Sequence, residues 1–243
     1  MNYEAAKVFS QVILADRTVH IKLLGDSITH GVGGTGFEQD GEPIVEGWAR
    51  NPKGYCWANR MKSFLESRYH CVVNNNACTG TTIEFIMKHF DTLVDPEDDI
   101  VLCTIGTNNR HQYFETGPKR TAEELKQEFY ANILALYEKF QLAGKQVIFV
   151  ANIPASAENE MDGDNFWRII HMNDIEDLYQ KAAFACGFPL IRLYSLFQAD
   201  CSIRGVAVDS LLADGLHPND AGYDVMFRLL LEELGIALPI ANV

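Results

Sequence analysis

Gly25-Asp26-Ser27-Ile28-Thr29, directly behind a short apolar run from His20 to Leu24, and Asp214-Gly215-Leu216-His217-Pro218, near the far end of the chain, hold the residue types a serine nucleophile requires. A serine hydroxyl attacks carbon poorly at neutral pH, so it needs a base within hydrogen-bond reach and a third group that orients the base. Ser27, His217 and Asp214 are the candidates for these three roles. The three-residue spacing lets the Asp214 carboxylate reach back to the imidazole and fix one tautomer, leaving the other ring nitrogen to face Ser27. Taken alone, Gly-Asp-Ser is a common turn tripeptide, and Asp-Gly-Leu-His-Pro could be a turn leading into a helix with Pro218 near its first position.

Elements that could bring these strings together are legible in the apolar periodicity. Strand-like runs fall at His20 to Leu24, Cys71 to Val73, Ile100 to Ile105, Val147 to Val150 and Pro189 to Leu193. Helical patterns fall near Tyr55 to Tyr69, Thr82 to Phe90, Thr121 to Leu142, Arg168 to Cys186 and Asn219 to Leu234, with a short helix over Glu4 to Leu14 expected at the domain edge. Thr121-Ala122-Glu123-Glu124 is a capping-box pattern. Short apolar runs separated by helices of this length predict βαβ units around a parallel sheet, an α/β fold.

In an open parallel sheet, ligands bind beyond the carboxyl ends of the strands. Four loops there carry chemistry. They are Gly25-Asp26-Ser27, then Asn74 to Thr82, then Gly106-Thr107-Asn108-Asn109, and late in the chain Asp214 to His217. Their convergence says more than any one string.

With these residues in view, the chain resembles an SGNH hydrolase of the GDSL esterase/lipase superfamily. Gly25-Asp26-Ser27-Ile28-Thr29 is similar to that family's first block, Asn75-Asn76-Ala77-Cys78-Thr79-Gly80 to the second, Gly106-Thr107-Asn108 to the third and Asp214 to Asn219 to the fifth. All four occur in order between residues 25 and 219. The resemblance implies a three-layer α/β/α, flavodoxin-like fold around a mostly parallel five-stranded sheet, in one domain over residues 1–243. It implies Ser27 as nucleophile, His217 as base and Asp214 as its orienting partner. It also implies an oxyanion hole made by the Ser27 N–H, the Gly80 N–H and the Asn108 side-chain amide, and chemistry needing neither cofactor nor metal. Donors aimed at the oxygen that becomes negative are usually the largest catalytic contribution in acyl transfer. Two positions depart from the family pattern, Ala77 where a glycine is frequent and Asn109 where an aspartate is frequent; neither is a proton-transfer group.

The expected activity is hydrolysis of short acyl esters, acetyl above all, on a carbohydrate or other small polar acceptor, through an acyl-serine. Lipase-like, lysophospholipase-like or thioesterase action on longer acyl chains is the alternative within catalysis. A non-catalytic carbohydrate-binding relative is the alternative outside it. The small-molecule ester is the expected partner, and nothing in the sequence fixes an oligomeric state.

Composition narrows the field. The 243 residues hold 33 acidic against 20 basic side chains, a formal net charge of −13, and no Lys/Arg cluster stands out, which argues against nucleic acid and anionic membrane surfaces as partners. No stretch approaches the roughly 18 uninterrupted apolar residues of a membrane span, and Met1 to Lys7 holds no apolar leader, so the chain is expected to be cytoplasmic. Six cysteines, Cys56, Cys71, Cys78, Cys103, Cys186 and Cys201, lack the CxxC or CxxH spacing of a zinc cluster and read mostly as buried thiols.

Several other features have competing readings. Gly31-Val32-Gly33-Gly34-Thr35-Gly36 matches the dinucleotide string GxGxxG, but the polar, Gly- and Pro-containing stretch after it opens no helix, so a mobile loop is expected there. The segment from Gly31 to Gly54 is an irregular insertion that could shape the acyl site. His30 could line the pocket, sit at the surface or hold a loop, and Cys78 could be redox-sensitive or a packing residue. Beyond the fourth strand, Met161, Phe166 and Trp167 could touch an acceptor or anchor the next helix, while Asp162-Gly163-Asp164 offers too few ligands for calcium.

Overall fold

The structure, a computed structural model, describes residues 3–111, 120–160 and 168–237. In chain order the elements are helix α1 (Tyr3–Ile13), strand β1 (Val19–Gly25), the one-turn helix α2 (Ser27–His30), short strands β2 (Pro43–Val45) and β3 (Trp48–Ala49), α3 (Trp57–Glu66), β4 (Cys71–Asn75), α4 (Ile83–Lys88), α5 (Phe90–Leu93), β5 (Ile100–Thr104), α6 (Ala122–Leu142), β6 (Gln146–Val150), α7 (Ala157–Glu160), α8 (Met172–Cys186), β7 (Leu190–Ile191), α9 (Leu193–Arg204) and α10 (Asp220–Glu233). Thr107–Arg110 and Val208–Leu211 form 3-10 turns.

Five strands pair in the order β4-β1-β5-β6-β7, each pair parallel. The central strands are apolar along their length because both faces are covered, as parallel sheets require. Val19, Ile21 and Leu23 of β1, with Ile100 and Leu102 of β5, face one core built with α1, α3, α9 and α10. Leu24, Val101 and Cys103 face the other, built with α4, α5, α6 and α8. This is the three-layer α/β/α arrangement expected from the sequence. Helix α1 adds Ala5, Phe9 and Ile13, four residues apart and therefore on one face, against α10 and β7.

Counting sheet strands alone, the order is second, first, third, fourth, fifth, so the chain reverses direction across the sheet between β1 and β5. A crevice opens at such a switch point beyond the strands' carboxyl ends. Ser27 follows β1 and Asn108 follows β5. Topology alone thus sets two of the expected site residues on either side of one crevice.

One charge interrupts the apolar pattern. Lys22 in β1 has a fully buried side chain, and its Nζ lies 2.6 Å from Asp95 Oδ2 and 3.4 Å from the buried Asp98 Oδ2. Burial pushes the Asp98 carboxyl up, against the downward pull of Lys22. A buried ammonium is tolerated when paired in this way.

The elements differ from the sequence reading in instructive places. The run Pro189 to Leu193 yields a strand of two residues because Leu193 already begins α9, a helix not anticipated from periodicity. The stretch 82–90 is interrupted at His89 into α4 and α5. Helix α8 begins at Met172, where His171 and Asp174 form a capping box, whereas the expected start was Arg168. The Thr121 capping box is present, Glu124 N–H donating to Thr121 Oγ1 and Thr121 N–H to the Glu124 carboxylate. Met161, Asp162, Gly163, Asp164, Phe166 and Trp167 lie outside the described residues. No helix among the described residues is long and apolar enough to cross a membrane.

Candidate active site

Strand β1 ends at Gly25, and the chain turns at once into α2, whose N-cap is Asp26 and whose first residue is Ser27. Asp26 Oδ1 accepts the Ile28 N–H at 3.0 Å, the ordinary capping bond. The carboxylate is fully buried, and burial pushes its pKa up against hydrogen bonds that favour the ion. Its other oxygen accepts from Asn152 Nδ2 at 2.9 Å, and the same nitrogen lies 2.6 Å from Thr107 Oγ1. Asn152, just past β6, therefore joins the nucleophile turn to the turn carrying Asn108. No characteristic string marks Asn152 in the sequence, although as a polar residue just beyond Val147 to Val150 it stands where strand ends carry chemistry.

The acid–base loop is built from the opposite end of the chain. Leu212 and Pro218 form an antiparallel bridge, and Ala213 N–H donates to the His217 carbonyl at 2.7 Å, closing a tight loop around Asp214 to Leu216. Asp214 Oδ1 accepts from the backbone N–H of Leu216 at 3.0 Å and of His217 at 2.8 Å. Its Oδ2 lies 2.7 Å from His217 Nδ1. Burial alone would raise the Asp214 pKa, but the bonds from the His217 backbone, the His217 ring and the Leu216 N–H outweigh it and hold the carboxyl below the usual aspartate value. An ionised carboxylate can only accept, so Nδ1 carries the ring proton and Nε2 presents a lone pair.

That lone pair meets Ser27: Nε2 lies 2.8 Å from Oγ. Three side chains nominated from strings almost two hundred positions apart thus stand in one hydrogen-bonded line. The approach depends on the glycine run of residues 31–36, which is neither a phosphate cradle nor free chain. A Cβ on Gly33 would stand 2.9 Å from His217 Cβ and 2.5 Å from the Pro218 carbonyl, so glycine is what lets the histidine loop close on α2. Tyr223 of α10 ties the same turn from behind, its hydroxyl donating towards the carbonyls of Ile28 and Val32, and Asp220 accepts from both Thr35 N–H and Thr35 Oγ1.

The oxyanion candidates lie across the crevice. Cys78 N–H donates to the Gly25 carbonyl at 3.0 Å, docking the loop after β4 on the end of β1. Gly80 follows with φ +77°, and nothing stands within 4 Å of where its Cβ would be. Neither the Ser27 N–H nor the Gly80 N–H is spent on an acceptor among the described residues. Asn108 Nδ2 donates one hydrogen to the Thr81 carbonyl at 2.8 Å, which orients the amide and leaves its second hydrogen for another acceptor. Asn109 points elsewhere: its Oδ1 accepts the Ile83 N–H and its Nδ2 donates to Glu84, so it caps α4.

The insertion of residues 31–54 is held firmly and partly regular. Strands β2 and β3 form a short antiparallel pair, Asn51 Nδ2 donates to the His30 carbonyl, and Arg50 donates to Asn76 Oδ1. His30 is buried and holds this loop, Nδ1 at 2.9 Å from Thr79 Oγ1 and Nε2 at 2.9 Å from the Ala49 carbonyl, which answers the choice left by the sequence in favour of a loop hydrogen bond. Burial lowers the His30 pKa, favouring the neutral ring. Cys78 is buried in the α4–α6 core and burial pushes its thiol up to about 12, the state of a packing residue. Four other cysteines are buried and Cys186 is exposed. Among the described residues no group of three His, Cys, Asp or Glu side chains is arranged to hold a metal.

Chemically, the arrangement can activate a hydroxyl and meet a developing negative oxygen. Comparison with known proteins agrees in kind. A profile of the GDSL-like Lipase/Acylhydrolase family matches residues 23–225. Among solved structures, the chain is similar to the acetylxylan esterase Axe2 from Geobacillus stearothermophilus, with a TM-score of 0.66 and 17% identity over 93% of this chain and 97% of that one. It is similar to LAE5, an α/β hydrolase enzyme from the metagenome of Lake Arreo, Spain, with a TM-score of 0.69 and 19% identity over 93% and 100%. It also resembles a lipase/acylhydrolase from Enterococcus faecalis, with a TM-score of 0.62 and 21% identity over 89% and 95%. No curated protein sequence matches.

Proposed function

We propose that this chain, which belongs to the GDSL-like lipase/acylhydrolase family and is a serine ester hydrolase, removes short acyl groups, acetyl above all, from a carbohydrate or other small polar acceptor. The observation that carries the mechanism is the line Ser27 Oγ to His217 Nε2 at 2.8 Å and His217 Nδ1 to Asp214 Oδ2 at 2.7 Å.

On this reading Ser27 Oγ attacks the ester carbonyl while His217 Nε2 takes the hydroxyl proton. The carbonyl oxygen becomes negative and is met by the Ser27 N–H, the Gly80 N–H and the free hydrogen of the Asn108 amide. Collapse breaks the bond to the acceptor oxygen, which takes the proton from His217 and leaves as an alcohol. Water then attacks the acyl-serine, gives a proton to His217, and the second collapse returns that proton to Ser27 Oγ as the carboxylic acid departs. Asp214 stays ionised throughout and stabilises the imidazolium.

A polar acceptor would find hydrogen-bonding groups close to the turn that follows β5. A cleft of about 300 Å³ adjoins the turn carrying Asn108, where Thr82, Glu84, Asn109 and Glu128 offer hydrogen-bonding groups beside the apolar Leu125 and Phe129. The names of several similar structures, acetylxylan esterases, point the same way. Rates on nitrophenyl acetate and octanoate and on acetylated xylooligosaccharides, for wild type and Ser27→Ala, test the proposal. Acetyl transfer faster than octanoyl by about tenfold or more supports it, and the reverse order assigns the lipase-like reading.

A further inference from the structure

The indole Nε1–H of Trp48 donates to the Thr79 carbonyl at 2.9 Å. A peptide unit is planar and trans, so its C=O and N–H point in opposite directions within one plane. The Thr79 carbonyl and the Gly80 N–H belong to the same unit. Holding that oxygen on one side therefore sets the aim of the N–H on the other, and this N–H is the one assigned above to the oxyanion.

The unit needs such a hold. Gly80 is exposed, sits at φ +77° and meets no neighbour where a side chain would be, and a peptide beside a glycine in a turn reorients readily. His30 grips the same residue by its side chain. The Ala49 carbonyl can only accept, so His30 Nε2 carries the proton and Nδ1 of the neutral ring accepts the Thr79 hydroxyl. The Trp48 ring is itself fixed edge-on to Phe85 of α4, with centroids 5.1 Å apart, so the β2–β3 hairpin and the helix that follows the oxyanion loop form one packed unit. A donor on the carbonyl also polarises the peptide and strengthens its N–H as a donor.

We infer that Trp48 and His30 are positioning residues for oxyanion stabilisation, and that the insertion of residues 31–54 contributes to catalysis by clamping the Thr79–Gly80 peptide. This rests on the acyl-serine reading of the same site. Neither residue touches the reacting atoms in this account; both act through Gly80.

The test replaces the Trp48 donor while keeping its shape, using β-(3-benzothienyl)alanine, in which sulfur takes the place of N–H, with Trp48→Phe beside it. The expected result is a fall in kcat on nitrophenyl acetate of about tenfold, with KM within about twofold, since only transition-state binding is lost. Affinity for phenylboronic acid, which mimics the tetrahedral state, should fall in proportion to kcat/KM. Thr79→Ser should restore most of what Thr79→Val loses. A benzothienyl variant with wild-type kcat, a loss confined to KM, or a lower kcat with unchanged boronic-acid affinity each overturns the inference. If wild type itself hydrolyses no ester and Ser27 takes no fluorophosphonate label, the acyl-serine reading fails and takes this inference with it. If wild type is active and labelled while the Trp48 variants match it, this inference alone fails.

Discussion

Asn152 Nδ2 stands 2.9 Å from the fully buried carboxylate of Asp26, so the residue that caps the nucleophile turn is held by the end of a strand 126 positions later. Removing the donor takes one hydrogen bond from a buried carboxylate, which costs about 1–3 kcal/mol and loosens the turn that carries Ser27. Asn152→Leu is expected to lower stability by that amount in urea denaturation and to reduce kcat more than KM. Asn152→Asp, which sets a second carboxyl against Asp26, is expected to cost more at neutral pH than at pH 4.

Lys22 gives a second stability prediction. Its ammonium, fully buried between Asp95 and Asp98, is the counter-charge to a buried carboxylate. Lys22→Met leaves Asp98 uncompensated, and breaking a buried pair costs about 3–5 kcal/mol. The Asp98 pKa is already raised by burial and rises further without the cation, so the folded variant takes up a proton as pH falls. The deficit should therefore be largest at pH 7 and shrink towards pH 5. Lys22→Met/Asp98→Leu should recover part of the loss at every pH.

Gly80→Ala separates catalysis from folding. The φ of +77° strains any other residue by about 1 kcal/mol, yet open space surrounds the new methyl, so the melting temperature should move only a few degrees. The methyl adds bulk beside the N–H assigned to the oxyanion, where a substrate must come close. A fall in kcat/KM of about 10²-fold is expected, measured on nitrophenyl acetate.

Asp214 fixes the pH behaviour. Its folded-state pKa lies below the ordinary aspartate value, so the stability it contributes is present above the unfolded pKa and disappears as pH falls through the folded one. Asp214→Asn should be less stable than wild type at pH 7, with the difference shrinking as pH falls below the ordinary aspartate range. An amide can also present its own N–H to His217 Nδ1, moving the ring proton to Nε2, where it faces Ser27 and cannot accept. A drop in kcat of about 10⁴-fold is expected even where the two proteins are equally folded.

How far the sequence reached follows from what each feature depends on. Ser27, Asp214, His217, Gly80 and Asn108 stood in short strings with characteristic neighbours, and the strands before them were marked by apolar runs, so their convergence on one sheet edge was legible. Helix α9 escaped because a single residue, Arg192, separates β7 from the helix, and as N-cap it makes no side-chain capping bond, so neither a loop nor a capping residue marks the start. Trp48 escaped for a different reason, and for His30, where a loop hydrogen bond was one of the readings, the partners stayed hidden. The Thr79 carbonyl met by Trp48 and the Ala49 carbonyl met by His30 are backbone atoms common to every residue, and only the folded path of residues 31–54 selects them and brings the Thr79 hydroxyl to His30. The glycine run at 31–36 shows the same limit: its string matched a phosphate loop, while its use is the close approach of His217.

The most direct test is to trap the covalent intermediate. Wild type mixed rapidly with nitrophenyl acetate, quenched in acid and digested for mass spectrometry should show a burst of nitrophenolate near one per protein molecule and an acetyl group on the peptide containing Ser27. His217→Ala should show neither. Turnover in wild type with no acyl group on Ser27, or turnover undiminished in Ser27→Ala, would contradict the account.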